Sequence, residues 1–363
     1  MSELKFHWRM LQGGERAFAS RAFQASLAET GLPDVDAKID FCRAAEDAGI
    51  DSLLTDFGWG KPDPIVLCTA LGLATTRIKL IIAYRSGLMG PTSFVQQINT
   101  LSALIDGRLS LNIVAGDSPE EQRYYGDFLG HDARYERTEE FLAIARGLWR
   151  REGPVTFEGA HYRVEAAQLN TPYVSPDRDF PEIFIAGNSP QAKALAISQG
   201  TCWMQIAETP ERIRERGAEV LRAGKELGVR LSVIGAKTRG EALHAAYALV
   251  QGTKTFDDRS AEAEFARRSD SHNVAETYER ASRSEWLRPW LWSGAARSHG
   301  TPAISMVGSP RDIADGVEEL RQAGVTQFIL SGWPKLESML FFAREVMPLV
   351  RAREREGREL AAS

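Results

Sequence analysis

The chain of 363 residues has an ordinary globular composition, with 43% hydrophobic residues, 26% charged residues and a formal net charge of -5, and can bury a large core. Its 44 Lys and Arg are outnumbered by 49 Asp and Glu and are spread along the chain, which argues against a nucleic-acid partner. No stretch approaches about 18 uninterrupted apolar residues, and the N-terminus has charges where a signal peptide needs an apolar core. We therefore expect a cytoplasmic protein without membrane association.

Short apolar runs alternate with amphipathic helical stretches along most of the chain. The predicted strands cover residues 4–8, 51–55, 78–84, 108–114, 182–187, 202–207, 229–236 and 327–332. Predicted helices include residues 34–50, 63–76, 91–105, 190–200, 210–228, 240–250 and 335–347. Eight strand and helix pairs in one domain, residues 1–363, predict an α/β fold of the (β/α)8 TIM-barrel type, with a doubly wound sheet as the structural alternative.

The fourth strand shows the pattern most clearly. A turn at residues 106–108, Asp-Gly-Arg, leads into apolar, β-prone residues that stop in Ala-Gly-Asp-Ser at 115–118. Such a strand is typically buried on both faces, as in a parallel sheet covered by helices. We expect an active-site loop to begin at these residues, 115–118.

Two segments do not fit the repeat and are predicted to be insertions after strands four and seven. Residues 115–183 hold a helix near 135–149 and a short hairpin around 155–164. Residues 253–302 are polar and contain the Trp-rich stretch WLRPWLWSG. Because long loops in compact domains are commonly lids or binding loops, we expect residues 253–302 to form a mobile lid over the active site.

Familiar catalytic signatures are missing: the chain has no GxxxxGK[ST], no GxGxxG after strand one, no GxSxG and no HExxH. Neither the histidines nor the cysteines have the spacing of a metal site, and the odd number of cysteines argues against a disulfide framework. Lys61 and Lys335 lack an evident acid partner for Schiff-base chemistry. A bound organic cofactor is the remaining source of difficult chemistry, and no metal is expected. The histidines and cysteines are His7, His131, His161, His244, His272, His299, Cys42, Cys68 and Cys202.

Four stretches in order, residues 75–121, 130–141, 184–196 and 328–337, resemble the bacterial luciferase-like flavin-dependent monooxygenases, most closely the alkanesulfonate monooxygenase branch. The resemblance covers almost the whole chain. It implies a (β/α)8 barrel that receives reduced FMN (FMNH2) from a partner NAD(P)H:FMN reductase, adds O2 at the C4a position of the flavin to give a peroxide, and oxygenates a small organic substrate. It also implies a homodimer or homotetramer.

The resemblance implies a flavin-ring site at the ends of strands three and four. Asn112 corresponds to a position close to the ring, although a buried amide can also serve only to satisfy backbone groups. Ala83 and Tyr84 lie where relatives place backbone under the ring. Asp63 lies where relatives bring an acidic group near the flavin, and its alternative role is to cap the following helix.

The phosphate end of FMN is implied at two places. His131 and Tyr135 are four residues apart and share a helix face, which also allows a simple packing pair. Gly187, Asn188 and Ser189 precede a helix that begins at Pro190, so free backbone N–H groups and a hydroxyl converge on an anion site. Ser189 alternatively serves only as the helix N-cap.

Substrate-side positions differ from the alkanesulfonate enzymes. Lys61 stands where they have a cysteine, Ser232 where they have a histidine, Trp333 where they have a tyrosine, and Ile206 where they have a tryptophan. The resemblance therefore implies the same oxygen chemistry on a different molecule. Substrate contacts are expected at Ser232 and at three tryptophans beyond strand ends, which core packing also explains: Trp8, Trp59 and Trp333.

Arg230 matches a family arginine and is expected to stabilise developing negative charge, with a barrel-rim ion pair as its alternative role. Arg297 approximates a second family arginine, and His299 stands at the aligned place. If the substrate is an alkanesulfonate, the products are an aldehyde and sulfite. The alternatives are a hydride-transfer enzyme that uses the deazaflavin F420 and a non-catalytic FMN-binding protein.

Overall fold

The computed structural model describes residues 3–11, 34–251 and 261–362. Its strands follow one another along the chain as β1 (Lys5–Arg9), β2 (Ser52–Thr55), β3 (Lys79–Tyr84), β4 (Leu109–Ile113), β5 (Val155–Glu158), β6 (Arg163–Ala167), β7 (Glu182–Ala186), β8 (Cys202–Ile206), β9 (Glu226–Gly235), β10 (Trp286–Arg288), β11 (Leu291–Trp292), β12 (Ser305–Gly308) and β13 (Val325–Ser331).

Eight of these strands pair in parallel and form a closed ring in the order β1, β2, β3, β4, β7, β8, β9 and β13. The ring closes because β9 pairs with both β8 and β13, and β13 pairs with β1. The predicted (β/α)8 barrel is confirmed, and the open doubly wound sheet is excluded. A closed ring satisfies the backbone groups that an open sheet leaves at its edges.

Helices surround this ring, and most of the predicted helices are present. They are α1 (Val35–Asp47), α2 (Pro64–Leu73), α3 (Pro91–Leu104), α4 (Pro119–Tyr124), α5 (His131–Arg150), α6 (Pro190–Ser198), α7 (Pro210–Arg222), α8 (Arg239–Val250), α9 (Ala261–Arg268), α10 (His272–Arg283), α11 (Ala296–His299), α12 (Pro310–Gln322), α13 (Lys335–Phe341) and α14 (Met347–Ala362). A 3-10 turn covers Thr301–Ala303, and a π turn over Phe342–Val346 joins α13 to α14.

Side chains alternate between the two surfaces of the barrel, as they must along a β-strand. On β1, Trp8 is fully buried among the outer helices, with its ring 6.1 Å from that of Phe342. On β3, Tyr84 likewise stacks on Phe94 at 4.2 Å. Trp8, for which substrate contacts were expected, therefore points away from the cavity, and its neighbour Arg9 faces the barrel interior. The Tyr84 side chain also points outward and Ala83 lines the cavity, while the position of their backbone under a flavin ring stays a prediction.

Two elements near residue 300 were not predicted. The short strand β12 extends the sheet beside β9, and α12 is the helix that precedes the last barrel strand. The helix predicted to precede the last barrel strand, residues 240–250, is α8, and it packs instead on β12 and β9. A capping box at Ser309 and Asp312 marks the start of α12 and is the signal that identifies it.

The two predicted insertions differ in how they are built. Between β4 and β7 the chain forms α4, α5 and the β5–β6 hairpin, which agrees with the helix and hairpin expected there. Between β9 and β12 it forms α8 to α11 and the β10–β11 ribbon. Residues 253–260 of the expected lid lie outside the described part of the chain.

A polar cluster closes the end of the barrel where the strands begin. His7 bonds to Ser52 at 2.6 Å and to Gln327 at 2.7 Å, and Gln327 donates to Glu182 at 3.1 Å. Burial raises the pKa of Glu182, but the field of the surrounding cations outweighs burial and lowers this pKa to about 2. The cations are Lys5 at 3.4 Å, Lys79 at 3.8 Å and Arg178 at 3.9 Å.

We expect Glu182→Gln to lower the free energy of unfolding by about 3 kcal/mol at neutral pH, because three partly exposed cations lose the buried carboxylate that they share. The folded pKa of Glu182 is about 2 and the ordinary value is 4.5, so the wild type holds this contribution above pH 4.5 and loses it as pH falls toward 2. Denaturant unfolding on both sides of pH 4.5 measures the difference. The control, Glu158→Gln, removes an exposed pair with Arg163 and should cost about 0.5 kcal/mol or less.

Candidate active site

A cavity of about 580 Å³ opens at the carboxyl ends of the barrel strands, where barrel enzymes bind their substrates. This volume suits a cofactor or drug-sized ligand. The residues that contact it come from the ends of β1, β3, β4, β7, β8 and β9 and from both insertions. The predicted site residues that line it are Trp59, Ala83, Asn112, Tyr135, Gly187, Arg230 and His299.

Two buried amides leave unpaired atoms at this cavity. Asn112 on β4 is 4% exposed, and its Oδ1 accepts no hydrogen bond from any described residue. Gln205 on β8 is 2% exposed, and its Nε2 likewise has no partner in the described part of the chain. Because buried polar atoms are normally paired, this acceptor and this donor indicate a polar ligand. Ala83, which pairs with Asn112 on the neighbouring strand, has only a methyl side chain, so no bulky group projects into the cavity beside Asn112.

Gly187 and Tyr135 form a close-fitting corner of the cavity. Gly187 has φ +137°, and a Cβ added there would lie 2.7 Å from the Tyr135 hydroxyl oxygen. The side chain of Tyr135 is hydrogen-bonded to Ser189, and burial raises the pKa of this tyrosine, so its hydroxyl stays protonated at neutral pH. Ser189 Oγ also accepts the backbone N–H of Ala192 at 3.1 Å and caps α6. Ser189 does not itself line the cavity and has the capping role given as its alternative, so Gly187 and Tyr135 form this corner beside the start of α6.

Three other residues expected near the flavin do not line the cavity. His131 bonds to Asp132 at 2.7 Å, and its ring lies 5.0 Å from that of Tyr135, which matches the packing alternative. Asn188 donates to Glu276 at 3.1 Å. Asp63 caps α2 by accepting hydrogen bonds from the backbone N–H groups of residues 65 and 66 at 3.0 and 2.9 Å. This is the capping role that the sequence allowed as the alternative to a position near the flavin.

An ion-pair cluster lines another part of the cavity. Asp56, which follows β2, bonds through Oδ2 to Arg9 Nε at 2.6 Å and to Lys61 Nζ at 3.2 Å, and through Oδ1 to Arg230 Nη2 at 3.5 Å. Burial raises the pKa of Asp56, but the three cations outweigh burial and hold this pKa well below its usual value. Arg230 therefore makes the ion pair given as its alternative role and also faces the cavity. All four side chains belong to the lining.

Sequence reasoning did not assign roles to Arg9, Asp56 or Gln205, although each comes from a predicted strand or directly follows one. For Arg9 and Asp56 the available signal was alternation, because a polar residue at the last inward position of a barrel strand faces the cavity. Alternation does not identify Gln205, because Met204 beside it packs in the barrel interior. The sequence shows Lys61 as a replacement for a family cysteine and offers no evident acid partner for it, whereas the structure gives it one in Asp56 at 3.2 Å.

His299 adds a neutral imidazole to the same wall. It is 9% exposed, its Nδ1 bonds to Ser298 Oγ at 2.8 Å, and its Nε2 has no partner among the described residues. Burial lowers its pKa to about 4, so the ring is uncharged at neutral pH. Trp333 stands edge-on behind this ring at 5.4 Å and does not line the cavity.

The remaining predicted residues lie around this wall. Ser232 donates to the carbonyl oxygen of Pro302 at 2.8 Å and is fully buried, so it holds the covering loop and does not line the cavity. Arg297 lies on α11 and also is not part of the lining. Trp59 is 48% exposed at the mouth, with its ring edge-on to Tyr124 at 6.2 Å.

Helices α9 and α10 and the turn between them, residues 261–283, form a cover over the cavity. Phe265 and Val274 of this cover contribute apolar contacts. Arg134 on α5 is 1% exposed and donates to both carboxylate oxygens of Asp270, at 2.9 and 2.8 Å. Ser269 donates to the carbonyl oxygen of Asp117 at 2.5 Å. The cover is therefore attached to the loop and helix that follow β4.

Other classes of site receive no support from the described residues. Residues 3–11, 34–251 and 261–362 contain no group of three or more His, Cys, Asp or Glu arranged to hold a metal ion. None of the helices in these ranges is both long and apolar enough to span a bilayer.

Several solved structures have the same fold. One is EDTA monooxygenase (EmoA) from Chelativorans sp. BNC1, with a TM-score of 0.75, 21% identity and coverage of 97% of this chain and 94% of that chain. Another is riboflavin lyase (RcaE), solved with modified FMN and riboflavin, with a TM-score of 0.73, 21% identity and coverage of 97% and 92%. A third is an F420-dependent secondary alcohol dehydrogenase, with a TM-score of 0.65, 18% identity and coverage of 96% and 99%.

At these identities the structural likeness shows the fold. The family assignment comes from the model of the luciferase-like monooxygenases, which matches residues 17–327. That match spans most of the chain and includes every strand from β2 to β12. The chain is an enzyme that belongs to the luciferase-like monooxygenase family.

Proposed function

We propose that this enzyme is an FMNH2-dependent monooxygenase that uses O2 to oxygenate a small organic substrate. The observation that carries the proposal is the cavity itself, in which two unpaired amides lie on one wall and a helix N-terminus with Tyr135 and Gly187 forms a corner. A flat heterocycle with polar edges and a phosphate tail has the chemistry that this arrangement complements.

The residues present fit FMN. Asn112 Oδ1 accepts and Gln205 Nε2 donates, which matches the N–H and carbonyl groups of a flavin ring. The corner formed by Gly187 and Tyr135 beside Ser189 suits the phosphate, because it offers the protonated hydroxyl of Tyr135 at the start of α6. This corner has no room for a Cβ at position 187. Bound reduced FMN supplies the electrons that activate O2 for insertion of one oxygen atom into the substrate.

The chain's own groups orient the substrate and exclude water. The cavity is shielded by Phe265 and Val274 on the cover and by apolar side chains at the carboxyl end of β8. Because water is excluded, electrostatic interactions inside the cavity are stronger. Arg230 holds a permanent positive charge at the cavity and stabilises negative charge that develops beside it. His299 lines the cavity with an uncharged ring and therefore exchanges hydrogen bonds without adding charge.

Several finer assignments belong to the same proposal. A separate NAD(P)H:FMN reductase supplies the reduced flavin, and an alkanesulfonate is one substrate consistent with an arginine-containing wall. The chain works in the cytoplasm as a homodimer or homotetramer. Exposed aliphatic side chains on α2 support self-association, since Val66 is 71% and Leu73 is 62% exposed. Light scattering on the purified protein measures the number of copies.

Gly187→Ala should weaken the binding of reduced FMN by about 10-fold or more, because an alanine at φ +137° is strained and its Cβ meets the Tyr135 hydroxyl. The wild type should bind FMN more tightly than riboflavin, and the variant should lose that preference. Anaerobic fluorescence titrations with both flavins measure the two constants. Gly90→Ala is the matched control, because no atom lies within 4 Å of an added Cβ there.

Aerobic turnover with reduced FMN then separates the alternatives. A wild type that binds F420 instead of FMN is a hydride-transfer enzyme, and one that binds FMN without consuming O2 is a non-catalytic flavoprotein. Absence of binding to any flavin contradicts the proposal and both alternatives.

We expect Asp270→Asn to loosen the cover over the cavity, because it removes the charge that Arg134 holds through two hydrogen bonds. Limited proteolysis should cut residues 261–283 several-fold faster, in line with a loss of about 1–3 kcal/mol for a charged hydrogen-bonded pair. Reduced FMN should also be oxidised with more hydrogen peroxide released per substrate consumed.

Glu264→Gln serves as the control for the cover. Glu264 pairs with Arg268 within α9, both side chains are more than half exposed, and the pair does not cross to the barrel. The expectation about the cover is contradicted if both variants show wild-type proteolysis.

A further inference from the structure

Two aromatic side chains are exposed at the mouth of the cavity. Trp59, in the loop after β2, is 48% exposed, and Tyr124, at the end of α4, is 60% exposed. Both side chains belong to the cavity lining. Their ring centroids are 6.2 Å apart and their planes are nearly perpendicular, at 88°. An edge-on pair covers only one face of one ring, so aromatic surface at the mouth remains open to a ligand.

The loop that carries Trp59 is fixed from both sides. Glu121 Oε1 accepts the backbone N–H of Trp59 at 3.1 Å and a hydrogen bond from Arg85 Nη2 at 3.0 Å. Arg85 is only 6% exposed, so it anchors this carboxylate to the interior. The backbone N–H of Lys61 donates to the carbonyl oxygen of Gly58 at 3.0 Å and closes a turn around Trp59. Because this backbone is held before a ligand arrives, less conformational entropy is lost on binding.

The other aromatic residues of this region are not equally available. The Arg85 guanidinium lies 4.8 Å from the ring centroid of Phe57, so the protein uses that ring for its own packing. The Tyr124 hydroxyl donates to Glu120 Oε1 at 3.1 Å, which orients its ring within α4. Trp59 and Tyr124 therefore combine a fixed position with exposed ring surface.

The exposure of these two rings has a cost that a ligand would recover. A large apolar side chain in water forgoes the free energy of burial, and grouped exposed apolar surface beside a cavity is typical of a binding site. The π faces of Trp and Tyr favour another ring, which they contact by stacking or edge-on.

We propose that the substrate carries an aromatic or heteroaromatic ring, which stacks on Trp59 and packs against Tyr124 at the mouth. The atom to be oxygenated then points into the cavity. Glu121 acts as a positioning residue for the indole. This inference rests on the proposed function and names the substrate class of the same cavity.

Titration with naphthaleneethanol and with its fully hydrogenated analogue tests the proposal. The two alcohols share a carbon skeleton and a head group and differ in aromaticity. The purified protein is titrated anaerobically with reduced FMN present and again without flavin, and ligand-observed NMR gives the dissociation constants. The aromatic alcohol should bind about 3- to 10-fold more tightly, which is the range expected of one stacked aromatic pair.

Trp59→Leu should abolish this preference, because leucine keeps an apolar contact without a π face, and Trp59→Phe should restore most of it. The matched control is Phe128→Leu, since Phe128 is 77% exposed but is not part of the cavity lining. This control should keep the wild-type preference, and circular dichroism confirms that each variant is folded.

Three results would overturn the proposal. The first is a wild type that binds neither alcohol or binds both equally. The second is a preference that persists in Trp59→Leu, which places the ring away from the mouth. The third is a preference that Phe128→Leu reduces as much as Trp59→Leu does.

The outcome is separable from that of the proposed function. A preference for the aromatic alcohol in a protein without affinity for reduced FMN leaves the aromatic site standing and removes the monooxygenase. Turnover with reduced FMN in a protein that does not distinguish the two alcohols leaves the monooxygenase standing and removes the aromatic site.

Discussion

Closure of eight parallel strands into a ring is the constraint on which the rest of the molecule depends. Once the ring is closed, each strand must direct alternate side chains to the helices and to the interior. On β1, Trp8 joins the outer core and Arg9 reaches the cavity. On β3, Tyr84 packs outward and Ala83 faces inward. The chemistry of the cavity is therefore set largely by the last inward residue of each strand.

The fold could be predicted from the sequence because buried parallel strands are continuous apolar runs that helices separate at regular intervals. The prediction was weakest where local signals compete. β9 begins at Glu226, three residues before the predicted start, because Gly224 at φ +72° ends the preceding helix early. The four residues of β12 are too few to show a period.

Sequence reasoning reached the cavity where a motif fixes the backbone and missed positions that depend on distant partners. Gly187 and Tyr135 form part of one corner of the cavity, and their role at the phosphate end of FMN stays a prediction. The cluster around Asp56 was not predicted, because Asp56 and Arg230 are 174 positions apart in the chain and only the closed ring brings them together. Trp8 was assigned to the site by a shift of one residue, which on a strand reverses the direction of the side chain.

At each end of the barrel one buried carboxylate pairs with three cations, but the two clusters differ in their surroundings. Glu182 is enclosed at the end where the strands begin, and its ion pairs stabilise the fold. Asp56 borders the open cavity, where the same arrangement leaves its cations within reach of a ligand.

The hydrogen bond from Ser232 to Pro302 ties the loop after α11 to the strand that carries Arg230, and the backbone N–H of Ser232 also donates to Ile304 at 2.8 Å. Pro302 and Arg230 both line the cavity, so these two bonds hold the loop against β9 two residues from the guanidinium. A substitution that removes the Ser232 hydroxyl would therefore loosen the part of the wall next to the positive charge.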